Sequence, residues 1–258
     1  MSDDTKQIIA EKLTVGYGDN ILLKEINFNV NKHDIFVIMG GSGCGKSSLL
    51  RVLTGLVPPI SGKIFINGKN FTGTNQQQKK QIMQDSGILY QSGALFSSMT
   101  LAENVALPLQ LYRDYTDEQI KELVSLKLAL VGLAGFEEYY PSEISGGMKK
   151  RAGLARALAL DPEIVYFDEP SAGLDPISSK LLDDLILDIN HSLGTTIVIV
   201  THERASIFAI GNNSIFLDGT SKSIVGQGNP VEMLKNPPNE TVYQFLTRGK
   251  QKDAQKTK

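Results

Sequence analysis

A single cysteine, Cys44, occurs in the 258 residues. One thiol cannot close an internal disulfide, which excludes a disulfide-stapled secreted domain and fits a reducing compartment. Neither sign of charge dominates. The 26 Lys and Arg against 28 Asp and Glu leave a formal charge of -2, which argues against a general nucleic-acid binder. Long apolar runs are also missing. No window approaches the roughly 20 apolar residues needed to cross a bilayer, and residues 1–6 lead into no apolar stretch of the signal-peptide kind. Any link to a membrane is therefore expected to come from a partner. The hydrophobic content of 41% is enough for a real core, as one large domain or as a core with an inserted subdomain. No internal repeat and no clear interdomain linker is visible.

Residues 7–15 and 21–30 alternate as strands, with a turn over 16–20. "DIFVIMG" is continuously apolar, as a strand covered on both faces should be. "KSSLLRVLTGL" then reads as a helix closing near Pro58 and Pro59, and "SGKIFINGKN" as a short strand with an Asn-Gly turn. "TDEQIKELVSLKLALVGL" has helical apolar spacing, and Thr116 with Gln119 fits a capping box. A further helix is expected after Ser145. The strand pattern returns in "EIVYFDEP", "TTIVIVTHE" and "NSIFLDG". Strands separated by helices imply a parallel α/β sheet, into which the mostly helical segment 92–160 reads as an insert. The polar, charged tail over 247–258 reads as a solvated end.

The most specific stretch is Gly40-Gly41-Ser42-Gly43-Cys44-Gly45-Lys46-Ser47, followed by Ser48. It matches G-x-x-x-x-G-K-[ST], with a buried strand before it and a helix after it. Glycines let successive N–H groups converge on phosphate oxygens, and the helix start adds positive potential. Lys46 is expected to neutralise the β- and γ-phosphates, and the Ser47 hydroxyl to ligate Mg²⁺. Cys44, beside a helix N-terminus, is a candidate for a lowered thiol pKa. The motif by itself specifies a phosphate-binding NTPase and does not separate a GTPase, a small-molecule kinase, a repair ATPase or a transport motor.

"EIVYFDEPSAGLD" brings Asp168 and Glu169 to the C-terminal end of an apolar strand, the edge where open α/β sheets bind ligands. Asp168 suits a water-mediated metal contact and Glu169 a general base. The two separate into these roles only if the strand ends there, which Pro170 favours. His202 ends another buried strand, where a γ-phosphate contact and an ordinary turn residue are both open readings. In "SEISGGMKKR", Ser145 is a good N-cap, and Gly146 with Gly147 would expose N–H groups at a helix start. That makes either a second anion site or a plain helix-starting turn. As an anion site in the inserted segment, it suits a head-to-tail pair of chains, each helix closing on the other's nucleotide.

The phosphate loop, "SGGMKKR", "IVYFDEP", "SAGLD" and "VTHE" together resemble the nucleotide-binding subunits of ABC transporters over roughly 7–228. The resemblance implies a P-loop NTPase core with an N-terminal antiparallel β subdomain and an inserted α-helical subdomain, an ATP-binding domain over 7–246. It implies ATP and Mg²⁺ as ligands, Tyr17 stacking on adenine, and Gln91 touching Mg²⁺ and sensing a membrane partner. Ser145 and Gly147 would contact the opposite nucleotide, Asp175 would sit at the dimer seam, and His202 would be the switch histidine. Asp175, before Pro176, would also cap the next helix. Met148 departs from the glutamine of many members, and Glu203 from the usual aspartate. "LYQSGALFSSMTLAENVALPLQL", the signature segment and a weaker "VYQFL" near the end are similar to Mla-type phospholipid-transport ATPases. That implies a homodimer at the cytoplasmic face of the inner membrane. It also implies a polytopic permease docked near 91–104 and a periplasmic lipid-binding subunit, with no nucleic acid. Ala94, Leu95, Phe96 and Met99 would line a groove for a permease helix or pack the insert's own core. An importer for another solute, a soluble ABC ATPase and a non-hydrolysing ATP-binding module are the alternative readings.

Overall fold

The computed structural model describes residues 5–247. Two sheets form its frame. Strands β1 (Lys6–Tyr17), β2 (Asn20–Asn31), β4 (Ser61–Ile66) and β5 (Lys69–Asn70) make an antiparallel sheet in the order β2-β1-β4-β5. The second sheet has the order β10-β9-β3-β8-β7-β6. It contains β3 (Ile35–Gly40), β6 (Ser86–Leu89), β7 (Ile164–Asp168), β8 (Thr196–Val200), β9 (Asn213–Asp218) and β10 (Ser223–Gln227). Five of these strands run parallel and β10 joins the edge antiparallel.

The six residues of β3 are all buried because both faces are covered. In β7, Ile164 and Tyr166 enter the core shared with the antiparallel sheet and α1 (Lys46–Leu53). Val165 and Phe167 point into the core on the opposite face, as the two-residue strand period requires. That second core lies under α3 (Leu101–Tyr112), α4 (Asp117–Leu130), α5 (Gly146–Ala157) and α6 (Pro176–Leu193). Each such side chain, Phe167 or Leu128 for example, stabilises the fold by about 1.5–3 kcal/mol through removal from water.

Several elements depart from the sequence expectation. α1 stops at Leu53, earlier than the Pro58-Pro59 pair suggested, because Gly55 takes a left-handed turn (φ 71°). α2 (Gln76–Gln84) buries Ile82 alone, so it carries no apolar stripe to read; the Asn75/Gln78 capping box starts it. α3 contains Pro108 and was not expected as a helix. It is held by buried Asn104, whose amide donates to the carbonyls of Phe96, Met99 and Thr100 and whose Oδ1 accepts from Phe96 N–H. Among the described residues three short helices follow: α7 (Arg204–Ile210), α8 (Pro230–Lys235) and α9 (Glu240–Thr247). Apart from Thr247, which ends α9, the charged tail lies outside the described residues.

Candidate functional site

Parallel register puts the chemistry on one edge. Ile38 of β3 pairs with Val200 of β8, and Val200 with Asp168 of β7. The loop after β3, the acids at the end of β7 and the histidine after β8 therefore emerge side by side, at the carboxyl ends of the strands.

The loop turns on Gly40. Its φ is 152°, and a Cβ there would lie 2.3 Å from Leu217 O and 2.7 Å from Cys44 Sγ. α1 starts at Gly45 (φ 100°) with no side-chain cap. Its first-turn N–H groups are thus left to an incoming anion. Lys46 Nζ donates to the carbonyls of Gly40 (3.0 Å) and Gly41 (2.9 Å), which aims the ammonium across the loop. A cavity of about 670 Å³ opens here. It is lined by Gly40, Gly41, Ser42, Gly43, Gly45, Lys46, Ser47 and Ser48, with Gln91, Glu169 and His202 facing them.

β7 ends at Asp168, and Glu169 takes a left-handed φ of 49°. This break turns the two carboxylates apart. Asp168 Oδ1 accepts from Ser47 Oγ at 3.2 Å. Burial raises its pKa, opposed by the Ser47 hydrogen bond. Glu169 Oε1 lies 2.8 Å from His202 Nδ1, with Glu169 15% and His202 67% exposed in their side chains. Glu169 Oε2 is buried and has no protein partner. An unpaired buried carboxylate oxygen is costly, so it marks a place for a polar reactant. The oxygens of Ser47, Asp168 and Gln91 form a hard donor set that suits Mg²⁺. Among the described residues no cluster of three or more His, Cys, Asp or Glu could hold a metal alone. A cation here would complete its shell with phosphate and water oxygens.

The other expected residues do not line this cavity. Tyr17 is exposed at the end of β1, its hydroxyl donating to Ser48 Oγ at 3.4 Å. That contact, followed by one with Arg51, lowers its pKa. Cys44 differs from expectation: it is only 2% exposed, and burial pushes its thiol pKa up despite Lys46 and the loop N–H groups. Ser145 caps α5 by accepting from Met148 N–H at 3.3 Å. Gly146 lines an adjoining recess with Tyr90, Ser92, Lys149, Lys150 and Asp168, and Gln91 lines both this recess and the phosphate-loop cavity. Gly147 faces α6 near Ser178. Asp175 caps α6 through Ile177 N–H and Ser178 N–H, both 3.0 Å, and its pKa is lowered first by the Ser178 hydroxyl. After Gln91 the expected groove residues divide. Leu95 packs into the helical core, Phe96 is half exposed under the Arg156 guanidinium, and Met99 lines a groove between α3 and α4.

Two residues near the site were not among the expected site residues. Phe245 of α9 lines the phosphate-loop cavity. Its position depends on the packing of α9, and the short "VYQFL" likeness alone pointed there. Lys150 of α5 reaches the turn after Glu169.

This arrangement is that of a phosphate-loop nucleotide-binding cassette. Over residues 23–172 the chain matches the ABC transporter family model, and it belongs to that family. It is 41% identical over 234 residues to the "Probable ribonucleotide transport ATP-binding protein mkl" of Mycobacterium tuberculosis, covering 91% of this chain and 64% of that protein. The chain thus spans less than two thirds of that relative's length. It is 35% identical to the "Intermembrane phospholipid transport system ATP-binding protein MlaF" of Haemophilus influenzae, over 93% of this chain and 89% of that one. The fold superposes on a bacterial ABC transporter cassette solved as a dimer, with a TM-score of 0.78 at 29% identity, covering 86% of this chain and 98% of that one. Among the described residues no helix is long and apolar enough to cross a membrane.

Proposed function

We propose that the chain is the ATP-hydrolysing motor subunit of an ABC transporter, working as a head-to-tail homodimer that drives phospholipid transport. The observation that carries the hydrolytic reading is Glu169. Its Oε1 engages His202 while its buried Oε2 is unpartnered, in the cavity that holds Lys46 and the glycine loop. Water attacks the γ-phosphorus, the bond to the β,γ-bridging oxygen breaks, and ADP leaves with that oxygen. Glu169 accepts the proton of the attacking water. Lys46, the N–H groups of the loop and His202 offset the charge on the γ-phosphate oxygens. Tyr17 stacks on adenine. Ser47, Asp168 and Gln91 hold Mg²⁺, which supplies charge neutralisation at the phosphates when bound. Ser145 and Gly147 of a second copy close over the nucleotide, with Asp175 at the seam.

The domain extends over 7–246, with the helical insert over 92–160. The surface following Gln91, about 91–104, receives a permease helix, which holds the chain at the cytoplasmic face of the inner membrane. A periplasmic lipid-binding subunit completes the complex. The near end-to-end match to the phospholipid-system relative supports lipid as cargo. The equally close mycobacterial relative, named for ribonucleotide transport, supports a different solute. Purification from detergent-solubilised membranes decides between them: co-isolation of a polytopic permease carrying phospholipid supports the first, and a permease binding a small solute removes it. For the hydrolytic step, Glu169→Gln is expected to keep ATP affinity and lose at least about 100-fold in kcat. Wild-type turnover in that variant would remove Glu169 from its role.

A further inference from the structure

α5 carries a lysine outside the phosphate loop, Lys150, in the wall of the recess that Gly146 also lines. Lys150 is 6% exposed. Burying an ammonium costs several kcal/mol unless its donors are paired, and here they are. Nζ donates to Pro170 O and to Ala172 O, each at 2.5 Å. Burial lowers its pKa, and the nearby Glu203 and Glu169 carboxylates oppose that shift. Both acceptors lie within three residues of Glu169.

That turn needs an external hold. Glu169 is at φ 49°, a region that costs a non-glycine residue about 1 kcal/mol or more. From the sheet, Glu169 N–H donates to Val200 O at 2.9 Å. On the other side the turn is closed by Ala172 N–H to Glu169 O (3.2 Å) and Leu174 N–H to Ser171 O (3.0 Å). The carbonyls of Pro170 and Ala172 face α5. Lys150 gathers both in one charge-assisted contact that crosses from the helical segment to the sheet edge. α5 is itself fixed from below: Gly153 packs so closely on Gly93 that a Cβ would lie 2.8 Å from Gly93 O. Arg156 donates to Gly93 O and Ala94 O at 3.0 and 2.8 Å.

We propose that Lys150 is a positioning residue that locks the turn after Glu169 and so sets where the Glu169 carboxylate stands. This rests on the reading of Glu169 as the group that accepts the proton. Misplacing a reacting group by about 1 Å can cost on the order of 100-fold in rate, which makes the lock consequential without any contact to nucleotide.

Lys150→Met keeps the chain length and removes the donors. In the nucleotide-free protein, the amides of Ala172 and Leu174 are expected to exchange with deuterium at least about tenfold faster. With ATP, kcat is expected to fall about 10- to 100-fold while ATP affinity stays within about threefold, the pattern of a lost transition-state alignment. Lys150→Gln, which retains a donor, should restore part of the loss. The proposal is overturned by a Lys150→Met kcat within about twofold of wild type, by a kcat loss matched by equal loss of ATP affinity, or by unchanged exchange over 169–174. If Lys150→Met does not fold, Lys150→Ala, which also lacks the donors, takes the same three measurements: kcat within about twofold of wild type with unchanged exchange overturns it. Should Glu169→Gln turn over normally, the hydrolytic reading fails. Exchange in the nucleotide-free variant then still decides whether Lys150 holds the turn.

Discussion

Asp183 lies on the buried side of α6, where its Oδ2 accepts from Ser206 Oγ of α7 at 2.8 Å. Burial raises its pKa to about 6; the Ser206 hydrogen bond opposes this, and the charges of Glu203 and Asp184 add to it. The ordinary value is 3.8, so the folded chain holds this proton more tightly than the unfolded one. Stability from Asp183 is therefore full at low pH and declines as pH rises through 4 to 6. Asp183→Asn keeps an acceptor for Ser206 and never ionises. It is expected to be more stable than wild type by up to about 2 kcal/mol near pH 8, with the gap closing near pH 4. Urea melts at the two pH values check this, and a gap independent of pH would refute the assignment. The same residue shows what a sequence conceals. An aspartate at helical spacing looks solvated until a second helix, packed through Ile207, covers it.

At the scale of elements, α9 brings a residue far along the chain into the wall of the phosphate-loop cavity. Val242 and Leu246 are buried against Val37, Met39, Ile207 and Phe216. That anchoring turns Phe245 edge-on to Phe216, with ring centroids 5.0 Å apart, and into the wall of the phosphate-loop cavity. Arg204, two residues after His202, donates to Phe245 O at 3.2 Å. An apolar wall excludes water and strengthens the electrostatics beside it. Phe245→Ala is expected to weaken ATP binding about tenfold, or about 1.4 kcal/mol, in an equilibrium titration. Gln244→Ala, one residue earlier and exposed, should change it less than about twofold. Equal effects of both would show general loosening of α9. Elements with local signatures could be read in advance: the all-buried β3, the strand end at Asp168, the Ser145 and Thr116 caps; the strand expected to end at His202 stops at Val200, two residues before it. α2 could not, because its Gln- and Lys-rich sequence has almost no buried face. α3 could not, because Pro108 argues against a helix that Asn104 then secures from within. The loop from β3 to α1 was legible because its glycine spacing encodes a backbone path, whereas Lys150 and Phe245 act across contacts distant in sequence.

For the molecule as a whole, the head-to-tail reading has a consequence for assembly. The loop with Lys46 lines one cavity, and the start of α5 at Gly146 lines another recess. If two copies meet head to tail, each reaction centre takes Lys46 from one copy and Ser145 from the other. Lys46→Ala removes the charge that holds the triphosphate; Ser145→Arg removes the cap and puts a bulky cation in the seam. Each variant alone has two defective centres and should show near-background ATPase activity. In a mixed dimer both defects fall in the same centre, and the other centre keeps an intact Lys46 and an intact Ser145. Random pairing makes half the dimers mixed, each with one of two centres intact, so an equal mixture should recover up to about a quarter of wild-type activity. The recovery should grow with protein concentration and vanish on dilution, as a dimer requires. A mixture that stays at background while cross-linking shows dimers in abundance would mean that each chain completes its own centre.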